Sequence, residues 1–432
     1  MRIAMFTNTY TPHIGGVAGS VQQFTLGCRA HGHRVLVVAP AFEGMPEDEV
    51  DVVRMPAIQK FNGSDFSVTL PAPRTVLEAL NSFKPEVLHS HHPFLLGDTA
   101  LRMGSTLDLP LVFTHHTMYE HYTHYVPGEL PAFAQFIKTL SVGYANLCDH
   151  VIAPSKSVRD ILRKRKVETP VTVIPTGVEL DKFRRVTGRR FRVRQGIPER
   201  AFVVGHLGRL APEKNLDFLT RAVCRFLRQH PDAHFLVVGN GPSVEPMKAL
   251  CVLARVLDRV HFTGNLVIPE LAESYAAMDV FAFASKSETQ GMVLTEAMAT
   301  GVPVVALDAP GARDVVRDGA NGRLLPRESL GDFVRALDWV YDASPEKRRA
   351  LTRTARRTAR TFSSERSVEQ VLELYAMLID RGRTAPDPEK SPRPALLRAI
   401  SAEWNLWSNR FSAAVSMLGP REIAADGGDR KE

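Results

Sequence analysis

Two glutamates, Glu288 and Glu296, stand with seven residues between them, in a stretch bounded by two apolar runs. The runs Val280–Ala284 and Val302–Ala306 predict strands, so a loop and a short helix are predicted between them. Glu288 then lies at the carboxyl end of a strand, where open parallel sheets bind ligands. Glu296 follows about two helical turns later and can face the same crevice. Such carboxylates suit a sugar nucleotide, because acids bind hydroxyls while amides at a helix start bind phosphates.

A second strand end carries positive charge. Gly208 and Arg209 follow the apolar run Phe202–Leu207, and Lys214 stands shortly after them. Two cations on a loop that enters a helix can compensate a diphosphate, both when it is bound and when charge builds up on a leaving group. A solvated basic loop is the alternative, and the two glutamates in the same series of strands favour the phosphate interpretation.

Small and polar residues follow three other predicted strands. They are Gly15 and Gly16 after Arg2–Phe6, Gly239, Asn240 and Gly241 after His234–Val238, and Asn265 and Leu266 after Val260–Thr263. Glycine lets a backbone approach a ligand closely, so these segments are candidates for contacts with a phosphate, a ribose or a base. An ordinary strand-to-helix turn is the alternative at each of them.

Histidines are concentrated in the first half of the chain. Seven of the fifteen fall between positions 89 and 124, namely His89, His91, His92, His115, His116, His121 and His124. A zinc site is conceivable, but no carboxylate-rich motif accompanies them, so neutral groups that line a cleft are favoured. No Asp-x-Asp pair follows a predicted strand, and we therefore expect neither a metal site nor a cofactor.

The strands that position these residues alternate with helical patterns, which predicts an α/β fold with parallel sheets. One series of strands runs from Arg2–Phe6 to Val171–Ile174, and a second series runs from Phe202–Leu207 to Val302–Ala306. A single sheet is disfavoured, because single cores stop growing near roughly 250–300 residues. The sequence thus predicts two doubly wound domains that face each other across a cleft.

Composition limits the class of protein. The net charge is +7, and the basic runs Arg163–Lys166, Lys182–Arg194 and Lys347–Arg360 are typical of solvated faces or of surfaces that attract anionic lipids. Two of these runs contain no aromatic residue and the third contains only Phe183 and Phe191, so nucleic acid is not an expected partner. Four scattered cysteines, a strand that begins at Arg2 and the lack of a long apolar run predict a cytoplasmic protein, able to lie peripherally on the inner face of the cell membrane.

The end of the chain follows a different pattern. Residues 381–394 are rich in proline and charge, as in a linker, and the residues from Arg421 onward predict a disordered tail. Between them, apolar residues recur every three or four positions, including Trp404, Trp407 and Phe411, and predict an amphipathic helix over 395–418. The sequence leaves open whether this helix docks on the protein or anchors it at an interface.

Taken in order, Gly15-Gly16, His116, Arg209…Lys214, Gly239-Asn-Gly-Pro and Glu288…Glu296 resemble the retaining glycosyltransferases of family 4, which have the GT-B fold of two Rossmann-like domains. The likeness covers about residues 1–380. The segment from His115 to Tyr125 is similar to that of bacterial diacylglycerol α-glucosyltransferases, and the chain also resembles the phosphatidylinositol mannosyltransferases.

The resemblance implies a division of labour. Residues 1–183, with a crossover helix at about 362–380, would bind the acceptor, and residues 195–361 would bind the nucleotide sugar. Residues 381–432 would hold the linker, the amphipathic helix and the charged tail, outside the family pattern.

It also implies roles for residues. Arg209 and Lys214 would stabilise the diphosphate as leaving group, Glu288 would hold the donor sugar, and Glu296 would hold the ribose. His116 would reach the donor sugar from the first domain. The implied catalytic residues are His116, Arg209, Lys214 and Glu288; those for the nucleotide sugar are Gly16, Gly208, Gly239, Asn240, Gly241, Asn265, Leu266, Gln290, Gly291, Met292 and Glu296; those for the acceptor are Gly15, Tyr119, His121, Tyr122 and Tyr125.

The expected activity is transfer of a hexose, with retention, from a nucleotide sugar to a hydroxyl and without a metal. UDP-glucose and a membrane lipid such as diacylglycerol are the substrates that the resemblance favours. A soluble or polysaccharide acceptor, a GDP-mannose donor and, less favoured, a metal-binding protein without transferase activity are the alternatives. The sequence does not determine the base, the sugar, the acceptor, the linkage position or the oligomeric state, and Gln290 stands where many relatives have an apolar residue.

Overall fold

The computed structural model describes residues 1–13, 15–59, 67–70, 72–120, 131–382 and 395–417. The first half of the chain builds a parallel sheet and the helices that cover it. Its strands are β1 (Arg2–Phe6), β2 (Arg34–Pro40), β3 (Val52–Met55), β6 (Val87–Ser90), β7 (Leu111–Thr114), β8 (His150–Ala153) and β9 (Val171–Val173), and β4 (Ala57–Ile58) and β5 (Val68–Thr69) form a separate antiparallel pair. Its helices are α1 (Gly16–Ala30), α2 (Pro73–Phe83), α3 (Leu96–Leu107), α4 (Pro131–Leu147) and α5 (Lys156–Lys164).

The second half repeats the plan. The short helices α6 (Leu180–Phe183) and α7 (Arg189–Arg194) lead to strands β10 (Phe202–Leu207), β11 (Ala233–Val238), β12 (Val260–Phe262), β13 (Val280–Phe283), β14 (Val304–Leu307) and β15 (Gly322–Leu325). The helices that accompany and follow them are α8 (Leu216–Gln229), α9 (Val244–Leu253), α10 (Glu270–Ala276), α11 (Met292–Thr300), α12 (Ala312–Val315), α13 (Leu330–Tyr341), α14 (Pro345–Thr361), α15 (Ser364–Arg381) and α16 (Ala395–Ser416).

Strand order explains where ligands can bind. Within the described residues, the first sheet has the order β3-β2-β1-β6-β7-β8-β9 and the second has the order β12-β11-β10-β13-β14-β15. Each order reverses direction beside one strand, β1 in the first sheet and β10 in the second, and ligands bind at such reversals beyond the carboxyl ends of the strands. The loop after β10 carries Arg209 and Lys214, and the loop after its neighbour β13 carries Glu288.

The expected α/β class with two doubly wound parallel sheets is confirmed. The central strands are apolar and buried on both faces, as in β1, where Ile3 to Phe6 are fully buried. Two strands at the sheet edges, β3 and β15, were not predicted. β3 is interrupted by Arg54, and β15 contains both Gly322 and Arg323, so neither shows the apolar run of a central strand.

The end of the second domain returns to the first. Helix α14 packs on α11 in the second domain, and α15 then packs on α1 in the first. Val368, Val371 and Tyr375 of α15 are buried in the same core as Val21 and Phe24 of α1. The helix that begins beside the candidate phosphate site at Gly16 is therefore held by the C-terminal part of the chain.

The contact between α1 and α15 requires a glycine. A Cβ atom at Gly27 would lie 2.4 Å from Cγ2 of Val368, whereas one at Gly19 on the same helix would have no heavy atom within 4 Å. Because overpacking a core costs about 1–3 kcal/mol, we expect Gly27→Leu to lower the free energy of unfolding in urea by that amount. Gly19→Leu gives the same gain in helix propensity without the clash, so its midpoint should equal or exceed the wild-type value. Equal midpoints for the two variants would contradict the packing.

Candidate active site

The loops after β10 and β13 meet in an ion pair. Nζ of Lys214 lies 2.5 Å from Oε1 of Glu288, and both side chains are less than one fifth exposed. The hydroxyl of Ser287 donates to the carbonyl of Glu213 at 3.3 Å, which holds the two loops together. Arg209 lies on the same loop as Lys214 and is exposed. The structure therefore brings Lys214 and Glu288 into direct contact. It places Arg209 at the carboxyl end of β10, where its side chain is exposed.

Glu296 occupies the second turn of α11, as the spacing predicts. Its Oε2 accepts a hydrogen bond of 2.7 Å from the hydroxyl of Tyr275, which is itself fully buried. Burial raises the pKa of the Glu296 carboxyl, although the bond from Tyr275 and the charge of Lys182 act in the opposite direction. One carboxylate oxygen is thus held by the protein, and the carboxyl is oriented by a buried neighbour.

The loop after β13 is also bonded to the first domain. The hydroxyl of Thr289 donates to the carbonyl of His116 at 2.6 Å, and the hydroxyl of Ser155 donates to the carbonyl of Thr289 at 2.6 Å. Oε1 of Gln290 accepts from the backbone N–H of Thr176 at 2.8 Å. These three bonds form what we call the interdomain latch, defined by Thr289 and Gln290 on one side and by His116, Ser155 and Thr176 on the other.

His116 belongs to a buried group of histidines at the ends of β6 and β7. Its Nε2 lies 2.9 Å from Nδ1 of His91, so that one ring donates an N–H to the other. Burial, with neighbouring histidines as a second cause, lowers the pKa of His116 and of His91 well below the usual value, and burial lowers the pKa of His89 and of His92 to about 3. At neutral pH these rings are therefore uncharged, and each acts by hydrogen bonding.

The glycines after β10 and β11 are explained by backbone conformation and by the packing of the two loops. Gly208, Gly239 and Gly241 have φ values of 150°, 125° and 152°, a region that favours glycine. A Cβ atom at Gly239 would lie 2.0 Å from the carbonyl oxygen of Gly208, and one at Gly241 would lie 2.3 Å from that of Leu210. Close approach between the two loops alone requires Gly239 and Gly241, whatever ligand they contact, whereas at Gly208 only the backbone conformation favours glycine.

The other donor-side residues lie near the same edge of the second sheet. Gly291 begins α11 in the left-handed conformation, with Met292 as the first helical residue. Asn240 binds the N–H of Gly241 through its own side chain at 2.8 Å. Asn265 is exposed, and Leu266 packs on the core of the second domain. Asn265 and Asn240 thus remain candidates for base or ribose contacts, whereas Leu266 is partly used in packing.

The predicted acceptor residues fall on the first domain, and three of them, His121, Tyr122 and Tyr125, lie outside the described residues. Gly15 precedes α1 and Gly16 begins it, both exposed, and a side chain at Gly16 would meet no heavy atom within 4 Å. The ring of Tyr119 packs edge-on against Phe94 at 5.1 Å between centroids. Tyr119 thus packs on the loop that follows β6 in the first domain.

Sequence reasoning missed several residues of the site. It did not single out Thr289, Ser155 and Thr176 of the latch, nor Tyr275, the partner of Glu296. Ser155 and Thr176 each follow a strand of the first sheet closely, so extending the strand-end criterion to β8 and β9 would have found them. Tyr275 gives no such signal, because it lies on α10 and meets Glu296 only through tertiary packing.

Within the described parts of the chain, no group of three or more His, Cys, Asp and Glu residues is arranged to hold a metal ion. Among the helices of those same parts, none is long and apolar enough to pass through a bilayer.

Comparison with known proteins identifies relatives of both domains. Residues 14–182 match the model of "Glycosyltransferase Family 4", and residues 189–358 match that of "Glycosyl transferases group 1". The alpha-monoglucosyldiacylglycerol synthase of Streptococcus pneumoniae is 30% identical over 352 residues, which cover 80% of this chain and 79% of that protein. A GDP-mannose-dependent alpha-mannosyltransferase of Mycolicibacterium smegmatis is 32% identical over 370 residues, which cover 84% and 94%.

A solved structure shows the same fold. The Anabaena protein HepE, solved in complex with UDP and glucose, superposes with a TM-score of 0.71 at 21% identity, covering 88% of this chain and 100% of that one.

The raised pKa of Glu296 has a measurable consequence for stability. A carboxyl whose pKa is raised on folding binds protons more readily in the folded chain, so its stabilising contribution is present at low pH and is lost as pH rises through the folded pKa. Glu296→Gln removes this titration and keeps an acceptor for Tyr275. We expect the free energy of unfolding of Glu296→Gln, relative to wild type, to increase as pH rises above about 4.3, the usual pKa of a glutamate carboxyl. The exposed Glu245→Gln serves as control, and a relative stability that falls with pH would contradict the assignment.

Proposed function

Because the chain belongs to glycosyltransferase family 4, we propose that it transfers a hexose from a nucleotide sugar to the hydroxyl of a lipid, with retention at the anomeric carbon. The protein is a glycosyltransferase of the GT-B fold. The donor, the acceptor and the stereochemistry are the parts of this assignment that are proposed here.

One observation carries the proposal, and it is the position of Glu288 relative to His116. The residue next to Glu288 donates its hydroxyl to the carbonyl of His116 at 2.6 Å, and Glu288 itself is paired with Lys214. A carboxylate and a cation from one domain are therefore one residue away from a bond to the backbone of His116 in the other domain. A sugar diphosphate that binds to the second domain would place its sugar between these groups.

Binding of the donor would use both strand ends of the second domain. Arg209 and Lys214 would neutralise the diphosphate, and the exposed position of Arg209 leaves it accessible to an incoming anion. Glu296, oriented by Tyr275, would accept hydrogen bonds from the ribose hydroxyls. The backbone N–H groups at the start of α11, around Gly291 and Met292, would bind the sugar or its phosphate.

The chemical step then needs no protein group to act as nucleophile. The bond between the anomeric carbon and the diphosphate oxygen breaks, and the acceptor oxygen attacks from the same face. The departing phosphate oxygen takes the acceptor proton, while Arg209 and Lys214 stabilise its charge. Glu288 would orient the sugar and stabilise positive charge at the anomeric carbon. Burial lowers the pKa of His116, so its ring is uncharged. It would bind a sugar hydroxyl without placing a second positive charge near the anomeric carbon.

The substrates are proposed from the relatives. We propose UDP-glucose as donor and diacylglycerol as acceptor, since one relative is named an alpha-monoglucosyldiacylglycerol synthase. GDP-mannose is the competing donor, since other relatives are named GDP-mannose-dependent alpha-mannosyltransferases. We further propose that the reaction uses no metal and occurs at the inner face of the cell membrane.

The assignment of Glu288 and Arg209 is tested by turnover. Since removal of an electrostatic contact to the transition state costs about two to three orders of magnitude in rate, we expect Glu288→Ala and Arg209→Ala each to lose that much in an assay of nucleotide release with donor and dispersed lipid. The matched control is Glu328→Gln, which alters a more exposed carboxylate paired with Lys286. Wild-type rates in both site variants would refute the proposal, and loss of wild-type activity on addition of a chelator would refute the metal-free step.

The donor is identified by thermal stability. A ligand at about 100 times its dissociation constant adds about 2.7 kcal/mol to the folded state, so the true donor should raise the unfolding temperature. We expect UDP and UDP-glucose to raise it and GDP and GDP-mannose to leave it unchanged. Glu296→Gln should reduce the shift caused by UDP, because the ribose contact is weakened. A shift with the guanine nucleotides alone would assign the protein to the mannosyl donors.

A further inference from the structure

Helix α16 has two apolar stripes on opposite sides. Its buried residues Ala402, Leu406 and Ala413 pack against α3 and α4. Its three aromatic side chains and Ile400 form the second stripe, which we call the aromatic face and which consists of Ile400, Trp404, Trp407 and Phe411. The two stripes are offset by two residues, a rotation of about 200° on a helix with 3.6 residues per turn.

The aromatic face is exposed over most of its area. Ile400, Trp404, Trp407 and Phe411 are 55%, 73%, 64% and 71% exposed. All four stand at intervals of four, three and four residues, so they point in one direction. Two of the three tryptophans of the chain are therefore presented outward by a helix that is docked through small residues.

The charged residues of α16 are used for docking. Arg410 binds Asp98 of α3, Glu403 binds Arg102 of α3, and Arg398 donates to the carbonyl of Ser105 at 3.1 Å. The exposed residues of its described part are Ile400, Ser401, Trp404, Asn405, Trp407, Ser408, Phe411, Ser412 and Ala414, and none of them is charged. A helix in contact with water shows the opposite arrangement, with charges outward and large apolar side chains inward.

The surroundings favour a lipid surface as the occupant. Arg102, Arg398 and Arg410 border the aromatic face together with the carboxylates Asp98 and Glu403, which are 10% and 45% exposed, so three cations stand against two anions and one of those anions is largely buried. Guanidinium groups bind phosphate, and tryptophan is suited to the boundary between headgroups and hydrocarbon. An open cavity of about 590 Å³ lies between α3 and α16, lined by Met103, Thr106 and Trp404 among others, and it could take an acyl chain.

We propose that the aromatic face of α16 is the surface by which the protein docks on a bilayer with anionic headgroups. The helix lies on the membrane, with Trp404, Trp407 and Phe411 inserted at the level of the headgroups and the arginines on the phosphates. Helix α16 packs on α4, and α4 follows the predicted acceptor residues in the sequence. Docking through α16 would therefore bring the first domain to the lipid. The docking surface is inferred from α16 alone. Its purpose, which is to bring the enzyme to its acceptor, rests on the proposed function.

Vesicle binding tests this surface without requiring turnover. We expect the full chain to sediment with vesicles of phosphatidylcholine and phosphatidylglycerol. The triple variant Trp404→Ser, Trp407→Ser, Phe411→Ser should bind at least about 100-fold more weakly, because three side chains that the bilayer would bury are lost. The matched control is Val252→Ser with Leu253→Ser, which alters two residues of α9 that are 56% and 80% exposed. Folding of both variants is verified by nucleotide release with detergent-dispersed lipid.

Tryptophan fluorescence gives a second measurement that does not depend on a destabilising substitution. The third tryptophan, Trp339, lies in the second domain beneath Lys347 and Arg323. Brominated lipids should quench the wild-type emission and leave that of Trp404→Phe, Trp407→Phe unquenched, since only Trp339 then emits.

Each outcome separates the two proposals. Equal sedimentation of the triple variant and wild type, or no quenching, would overturn the aromatic face as the docking surface even if transfer to dispersed lipid persists. A dimer that the triple variant abolishes, with no vesicle binding, would overturn it in favour of a second copy of the chain. Vesicle binding that needs the aromatic face, without transfer to any lipid, would support docking and refute the proposed acceptor.

Discussion

The arrangement of the site depends on the loop between β13 and α11, which is held from both domains. On the first domain, Ser155 and Thr176 are 4% exposed and bind the backbone of Thr289 and the side chain of Gln290. On the second domain, Gly311 lies so close that a Cβ atom there would be 2.9 Å from the backbone of Gln290. Buried polar groups are costly when they lose a partner, so the bonds of the latch disfavour separation of the two domains. They also set the position of Glu288 relative to His116.

Electrostatics on the two sides of the cleft differ in kind. The second domain offers opposite charges in contact, Lys214 with Glu288, and a diphosphate would compete for the cation. The first domain offers histidines whose pKa values are lowered by burial, so it adds hydrogen bonds and no charge. In the proposed reaction the second domain would supply both charged groups, Lys214 toward the phosphate and Glu288 toward the sugar, and the first domain would add hydrogen bonds without a competing charge.

The C-terminal helices α15 and α16 both pack on the first domain, at different places. Tyr375 of α15 lies 2.5 Å from Nδ1 of His89, so the crossover helix is bonded to the strand that carries the histidines. Helix α16 covers α3 and α4 and presents its large aromatic residues outward. Apolar periodicity alone could not assign these roles, because both stripes of α16 recur at intervals that keep them on one side of a helix. Only the contact with α3 and α4 shows that Ala402, Leu406 and Ala413 face inward.

The sequence by itself determined the fold class and the strand ends that carry function. Apolar runs mark the buried central strands, and in parallel sheets the residues after such strands gather at one edge, so Arg209, Lys214, Glu288 and Glu296 could be placed on one domain from their order alone. The sequence did not reveal edge strands such as β15, whose exposed side removes the apolar signal. Tertiary structure alone decided the pairing of Glu296 with Tyr275, the contact of His91 with His116 and the interdomain latch. These contacts join residues between 21 and 173 positions apart, and no local pattern records which distant partner a polar side chain will meet when it is buried.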